Sequence, residues 1–385
     1  MERWNLGSQL EAINKQHLYR SREIIEGPQG AVISVGGQRL INFSSNDYLG
    51  LANHPAVRES FRKATEHYGV GSGSAHLICG HSAEHHALEE ELAEFTGRDR
   101  ALVFSTGFMA NLGVITALLN KNDEIFGDKL NHASLIDGAR LSGARFRRYL
   151  HNDSERLSAL LESSTCYKKM IVTDGVFSMD GDEAPINEIV KLSEQSQSLL
   201  MVDDAHGIGV MGAKGGGLLE KQALSQRQVP ILMGTLGKAL GTFGAFIAGN
   251  DELIETLIQR ARSYIYTTAP PAAVMAATRV SLKLCQQETW RRDKIVELAQ
   301  LFRQGAMQLG LHVPYSETSI QPIILGDSER TLLVSKALKS AGFLVTAIRA
   351  PTVAKGSERL RITLTAEHTI EHVNQLLLAL EKNIK

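Results

Sequence analysis

The sequence predicts a doubly wound α/β domain, a mainly parallel sheet with helices on both faces, followed by a smaller α+β domain. Three observations lead there. Between residues 101 and 249, short apolar runs of strand length alternate with segments of helical period. Parallel strands need crossover connections, and the helical segments supply them. From about residue 286 the order changes to one long helix and then a mixture of strands and helices.

Taken in order, residues 2–20 read as a short amphipathic helix with Leu6, Leu10 and Ile13 on one face. AVISV and QRLINF flank Gly36-Gly37, a two-residue turn signal, and read as a β-hairpin. This N-terminal segment spans residues 1–45. The large domain spans 46–285, with strands at ALVF (101), EIFG (124), MIVTDGVF (170), LLMVDDAH (199), PILMGTLG (230) and AFIAG (245). Its helices include HHALEEELAEF, GFMANLGVITALL, RLSALLESS and INEIVKLSEQ. The small domain, 286–385, opens with the helix WRRDKIVELAQLFRQGAMQLG. Strands near IQPIIL, LVTAIR and LRITLT and helices at TLLVSKALKSAG and TIEHVNQLLLALEKNI complete it.

The length of 385 residues is enough for two or three domains of ~150 residues. Hydrophobic residues at 43% and charged residues at 22% exclude a disordered or fibrous chain. Lys plus Arg number 41 against 42 for Asp plus Glu, a net charge of -1. No positive excess exists to condense on nucleic acid or an anionic membrane, so neither is expected as a main partner. Cys79, Cys166 and Cys285 are too scattered for a disulfide framework or a CxxC metal site, and are expected as reduced thiols. The N-terminus lacks a signal-type apolar stretch, and no run approaches ~18 apolar residues, so a cytoplasmic, soluble protein is expected.

Three motifs invite other functions. Gly207, Gly209 and Gly212 match GxGxxG, but DDAH separates them from the strand, and two carboxylates there would repel a pyrophosphate. Gly237-Lys238 hints at a phosphate loop, yet Leu232 and Ala239 stand where Gly and Ser/Thr are needed. His81 and His85 sit four apart on a helical segment without a convincing set of further ligands, so no metal is expected.

The chemistry gathers elsewhere. LLMVDDAHG ends an apolar strand in acid, acid and histidine at the carboxyl edge of the sheet, where open α/β folds bind ligands. MGTLGKALG places Lys238 among small residues about one crossover later. ALVFSTGFMANLGVITALL is a strand, a turn and a helix whose N-terminus offers a phosphate site. A lysine able to form a Schiff base, a carboxylate for a ring nitrogen and a phosphate cradle are what pyridoxal phosphate requires.

Five stretches, NFSSNDYLGL, TDGVFSMDGD, VDDAHG, TLGKALG and RLRITLTAEH, together resemble the α-oxoamine synthases, pyridoxal-phosphate enzymes of fold type I. The likeness runs from about residue 18 to the C-terminus. It implies that Lys238 binds the cofactor covalently and then acts as base, and that Asp203 pairs with the pyridine nitrogen. Alternation along the strand does not choose between Asp203 and Asp204; the resemblance does. It further implies that His206 bonds the phenolic oxygen, that His132 stacks on the ring, and that Ser178 lies beside it. Gly107, Phe108 and Thr235 would hold the phosphate, joined by Thr267 and Thr268 from across a homodimer interface. Arg361, supported by Asn46, matches the arginine that binds the amino-acid carboxylate, with Arg359 as the alternative on the same strand face. Arg20, Arg349 and Thr352 are the acyl-substrate candidates.

AIRAPTV followed by RLRITLTAEH is most similar to members that condense L-alanine with a pimeloyl thioester, carried on CoA or on an acyl carrier protein. Ala350 and Ala354 stand where proline is expected in that loop. Rival members are 2-amino-3-ketobutyrate CoA ligase, 5-aminolevulinate synthase and serine palmitoyltransferase. They differ in pocket shape, and one methyl group discriminates by only ~1–3 kcal/mol. A non-catalytic partner subunit is disfavoured by Lys238, Asp203 and His206 occurring together. A nicotinamide dehydrogenase is disfavoured by the misplaced glycines.

Overall fold

The computed structural model describes residues 2–384, which form two compact units. The larger comprises Leu51–Ser178 and Asp182–Arg292. The smaller comprises the residues up to Gly50, Met179–Gly181, and those from Asp293 onward.

The larger unit is built on a seven-stranded sheet. In spatial order its strands are Arg100–Phe104, Ala245–Gly249, Ile231–Thr235, Leu199–Asp203, Lys169–Asp174, Glu124–Asp128 and Arg145–Tyr149. All neighbours run parallel except Ala245–Gly249, which is antiparallel to both of its partners. Ile171, Val172, Leu200, Met201 and Val202 are completely buried. Covered on both faces, these strands need near-continuous apolar runs, as the sequence has. The register pairs Asp174 with Asp203 and Asp203 with Met233, so the central strands end together and present their aspartates at one edge.

One strand escapes the sequence reading. Arg145–Tyr149, RFRRY, carries three arginines and forms the outer edge of the sheet. Charged side chains suit an edge strand because they discourage further pairing, and they mask the apolar signal.

In the smaller unit, Val32–Val35 and Gln38–Asn42 form the expected hairpin, and both turn glycines have positive φ, +57° and +76°. A lone hairpin is marginal in water. Here Phe343–Leu344 adds a parallel third strand beside Gln38–Asn42, so the N-terminal hairpin groups with C-terminal residues instead of standing apart. Ile320–Ile324 and Thr346–Ile348 flank Arg359–Thr363 in an antiparallel sheet. The single strand expected at LVTAIR is therefore two short strands in different sheets. The core packs Phe302, Leu360, Ile362, Leu376 and Leu380. The first helix is shorter than expected, Leu6–Lys15, and buries none of its residues. Among the described residues, no helix is long and apolar enough to cross a membrane.

Candidate active site

At the carboxyl edge of the large sheet a cavity is lined by Gly107, Phe108, His132, Ser178, Asp203, His206, Thr235 and Lys238, together with Ser134 and Asp174. Eight residues singled out from sequence thus meet in one place.

Lys238 lies in the connection between Ile231–Thr235 and its antiparallel neighbour Ala245–Gly249. Leu236 N–H donates to the Gly244 carbonyl at 2.9 Å, Thr242 N–H to that of Leu236 at 2.9 Å, and Gly241 N–H to that of Lys238 at 2.8 Å. The backbone is thereby fixed and the half-buried side chain carries the amine into the cavity, Nζ 2.8 Å from Nε2 of His206. Gly241 has φ +65°, and a Cβ there would stand 2.3 Å from the Ala52 nitrogen.

The two adjacent aspartates separate by environment. Asp203 lines the cavity, accepting from Asn111 Nδ2 at 2.6 Å and from the Ala205 N–H at 3.1 Å. Asp204 is fully buried and accepts the Leu218 N–H at 2.7 Å. A Cβ at Gly207 or Gly217 would come within 2.1 or 2.0 Å of its carboxylate oxygens. Burial, opposed by the backbone amides it accepts, raises its pKa well above the usual carboxylate range, and the side chain anchors the turn around it. The GxGxxG-like run belongs to this packing: residues 207–217 are turns around Asp204 that open no helix at Gly212.

Thr106 caps the helix Gly107–Leu118, its hydroxyl accepting the Met109 N–H at 3.2 Å. The Gly107 and Phe108 amides have no hydrogen-bond partner among the described residues, as first-turn amides facing an anion must. Thr235 donates its hydroxyl to the Gly244 carbonyl at 3.0 Å and also lines the cavity.

Sequence reasoning missed three residues that organise the opposite wall. Asn111 Nδ2 bridges Asp203 and Ser134 Oγ (2.8 Å), and Ser134 Oγ bonds His132 Nδ1 at 2.6 Å. Asp174 accepts the His132 N–H at 2.9 Å. Burial, then the nearby Asp203 charge, raises Asp174 well above the carboxylate range. His132 keeps an edge open to the cavity, while desolvation lowers its pKa against the opposing pull of Asp203. The available signal was a polar Asn111 in an otherwise apolar helix and an acid ending the strand Lys169–Asp174.

Thr267 and Thr268 are not among the residues lining this cavity; Thr268 instead forms a bridge with Ala75. His85 is no exposed ligand: it is buried, caps its helix through Ser82, and bonds the Pro270 carbonyl at 2.8 Å. His81, His86 and Glu89 do place one ligand atom each within 4.8 Å of one another.

In the smaller unit Arg361 is buried in the strand Arg359–Thr363, both terminal nitrogens 3.2 Å from Asn46 Oδ1 and Nη2 3.5 Å from the Tyr48 hydroxyl. Tyr48 was not foreseen. Arg359 is paired with the Asp180 carboxylate and donates to the Met179 carbonyl at 3.3 Å. A second cavity, about 730 Å³, is lined by Arg20, Arg349, Ala350 and Thr352 with Lys336 and Lys339. There Arg20 donates to the Thr352 hydroxyl at 3.3 Å, and Arg349 holds the His17 carbonyl. Ala354 accepts both the amide and the hydroxyl of Ser357 through its carbonyl.

These donors fit pyridoxal phosphate. The cavity joins an amine, a buried carboxylate with capacity to accept a ring N–H, and two partnerless helix-start amides. Fold and site define a pyridoxal-phosphate enzyme of fold type I. A model of class I and II aminotransferases matches residues 38–380. The chain is 57% identical over 362 residues to an 8-amino-7-oxononanoate synthase of Nitrosococcus oceani, covering 94% of this chain and 96% of that one. It superimposes with a TM-score of 0.93 on a serine palmitoyltransferase from S. paucimobilis with bound PLP and myriocin, at 28% identity, covering 98% and 96% of the two chains. The solved 8-amino-7-oxononanoate synthase from Francisella tularensis gives a TM-score of 0.79 at 31% identity, covering 90% and 98%. The chain belongs to the class I and II aminotransferase family and, within it, to the 8-amino-7-oxononanoate synthases. The higher TM-score of the palmitoyltransferase reflects a shared backbone, which by itself carries no substrate preference.

Proposed function

We propose that this enzyme condenses L-alanine with a pimeloyl thioester, on CoA or an acyl carrier protein, releasing CO2 and 8-amino-7-oxononanoate for biotin biosynthesis, as a cytoplasmic homodimer. The observation that carries the reading is Lys238 and Asp203 lining one cavity in a chain 57% identical to an 8-amino-7-oxononanoate synthase. Bound pyridoxal phosphate supplies an electron sink for the carbanion formed at the amino-acid Cα.

The residues divide the remaining work. Lys238 would hold the cofactor through Nζ, and its amine would serve as the base that takes the Cα proton and later returns one. His206, 2.8 Å from that amine, keeps it oriented. Asp203, held by Asn111 and the Ala205 amide, keeps a proton on the ring nitrogen. His132, fixed through Ser134 and Asp174, covers the ring face, and Ser178 borders it. The Gly107 and Phe108 amides and the Thr235 hydroxyl bind the phosphate, with Thr267 and Thr268 contributed by the second copy. Arg361, held flat by Asn46, offers its fork to the alanine carboxylate. Arg20, Arg349 and Thr352 take the acyl substrate, whose far carboxylate suits an arginine.

A paired assay tests the reading. L-alanine, more than glycine or serine, is expected to perturb the visible absorbance of the lysine-bound cofactor, and added pimeloyl thioester to release CO2. An equal response to glycine with acetyl-CoA would overturn the assignment. Lys238→Ala is expected to abolish the absorbance.

A further inference from the structure

We propose that His151 is a positioning residue for this reaction: bridging Asp128 and Asp182, it fixes the spacing of the two loops that present His132 and Ser178 to the cofactor cavity. The inference rests on the roles given above to those two residues.

Both ring nitrogens of His151 face carboxylates. Nδ1 lies 3.3 Å from each Asp128 oxygen, and Nε2 lies 2.7 Å from Asp182 Oδ2. A neutral imidazole has one N–H, so satisfying both acids requires the doubly protonated ring. Among the described residues, Asp128 and Asp182 are the charged groups that shift it, and together they outweigh desolvation and push its pKa up to about 10. The ring is three-quarters shielded, and the Phe177 ring packs edge-on to it with centroids 4.4 Å apart.

Each acid anchors one loop. Asp128 ends the strand Glu124–Asp128 and accepts the Leu130 amide at 2.7 Å and the Asn152 amide at 2.8 Å. Two residues past Leu130, His132 enters the cavity. Asp182 also accepts Asn152 Nδ2 at 2.9 Å, and its carbonyl accepts the Phe177 amide at 2.9 Å, one residue before Ser178. Val176 bridges Glu183 on the same limbs. Without the charge on His151, Asp128 and Asp182 would confront each other across its ring, and both loops would shift.

The test uses the cofactor-loaded enzyme. Asp182→Asn leaves His151 one carboxylate, so its pKa falls toward the ordinary value of ~6.5. With one acid gone no two carboxylates confront each other, but loss of the ring's charge releases its ion pair with Asp128 and so the Asp128 loop. The variant is expected to lose activity as pH rises between about 7 and 9, a decline the wild type lacks over and above its own profile. His151→Gln should show kcat reduced about tenfold or more at every pH, without the extra decline. Both should keep the cofactor's visible absorbance. Absence of that absorbance in the wild type would sink the functional reading itself, a separate failure. The proposal is overturned if kcat and KM of both variants stay within about twofold of wild type while only Tm falls, or if Asp182→Asn follows the wild-type pH profile. Should His151→Gln not fold, Asp182→Asn alone decides through its profile.

Discussion

Asp203 and Asp204 have the same side chain and adjacent places, yet one faces the cavity while the other is enclosed by glycines. Asp203→Asn should cost orders of magnitude in kcat, because an amide does not hold a ring proton. Asp204→Asn should leave kcat near wild type and shift stability by about 1 kcal/mol, since the amide oxygen can still accept the Leu218 N–H. Steady-state kinetics beside a denaturant titration separates the two. Arg361→Lys is expected to raise KM for the amino acid about tenfold or more, as an ammonium cannot reproduce the fork. Glu89 carries a different signal: burial raises its pKa to about 8 against the lowering effect of the Val103 amide. A raised carboxyl favours folding below the unfolded value of ~4.5 and loses that contribution as pH climbs through about 8. Glu89→Gln should flatten the dependence of Tm on pH across that window. The residues that meet in the cavity were legible because the chemistry expected of them constrains their types. Asn111, Ser134, Asp174 and Tyr48 were not, because a polar residue that orients another looks like any capped or satisfied polar group until its partners are known.

Elements with a strong period were read correctly, and those whose pattern is broken by their position were not. The central strands announce themselves by burial on both faces, whereas RFRRY at the edge does not. LVTAIR has strand composition throughout, but its two halves pair with different neighbours, a distinction made only by tertiary contacts. At this scale the turn holding Lys238 offers a sharp test. Gly241→Ala adds a Cβ 2.3 Å from backbone at positive φ, where nothing flexible can yield. It should destabilise the protein by more than about 1 kcal/mol and lower cofactor occupancy, as measured by thermal unfolding and visible absorbance.

For the molecule as a whole, the proposal that a second copy supplies Thr267 and Thr268, which do not line the cavity, has a direct test. If the second copy supplies them, inactive Lys238→Ala subunits mixed with inactive Thr267→Ala/Thr268→Ala subunits should regain about a quarter of wild-type activity, because half the dimers then hold one intact site. No recovery after verified exchange would place the threonines elsewhere. The division into units was legible only in part: the order of elements changes near residue 286, but the strand pairing that draws the N-terminal hairpin to Phe343–Leu344 has no local signature.

The hydrogen bonds that clamp residues 236–244 bear on how the protein meets a protease. A lysine-specific enzyme must draw several residues of extended chain into its cleft, and this loop cannot extend without breaking those bonds and leaving the adjoining strands. Lys238 therefore offers its side chain to small molecules while withholding its peptide bond from digestion. Cleavage there would report global unfolding, making that one peptide a clock for the native state.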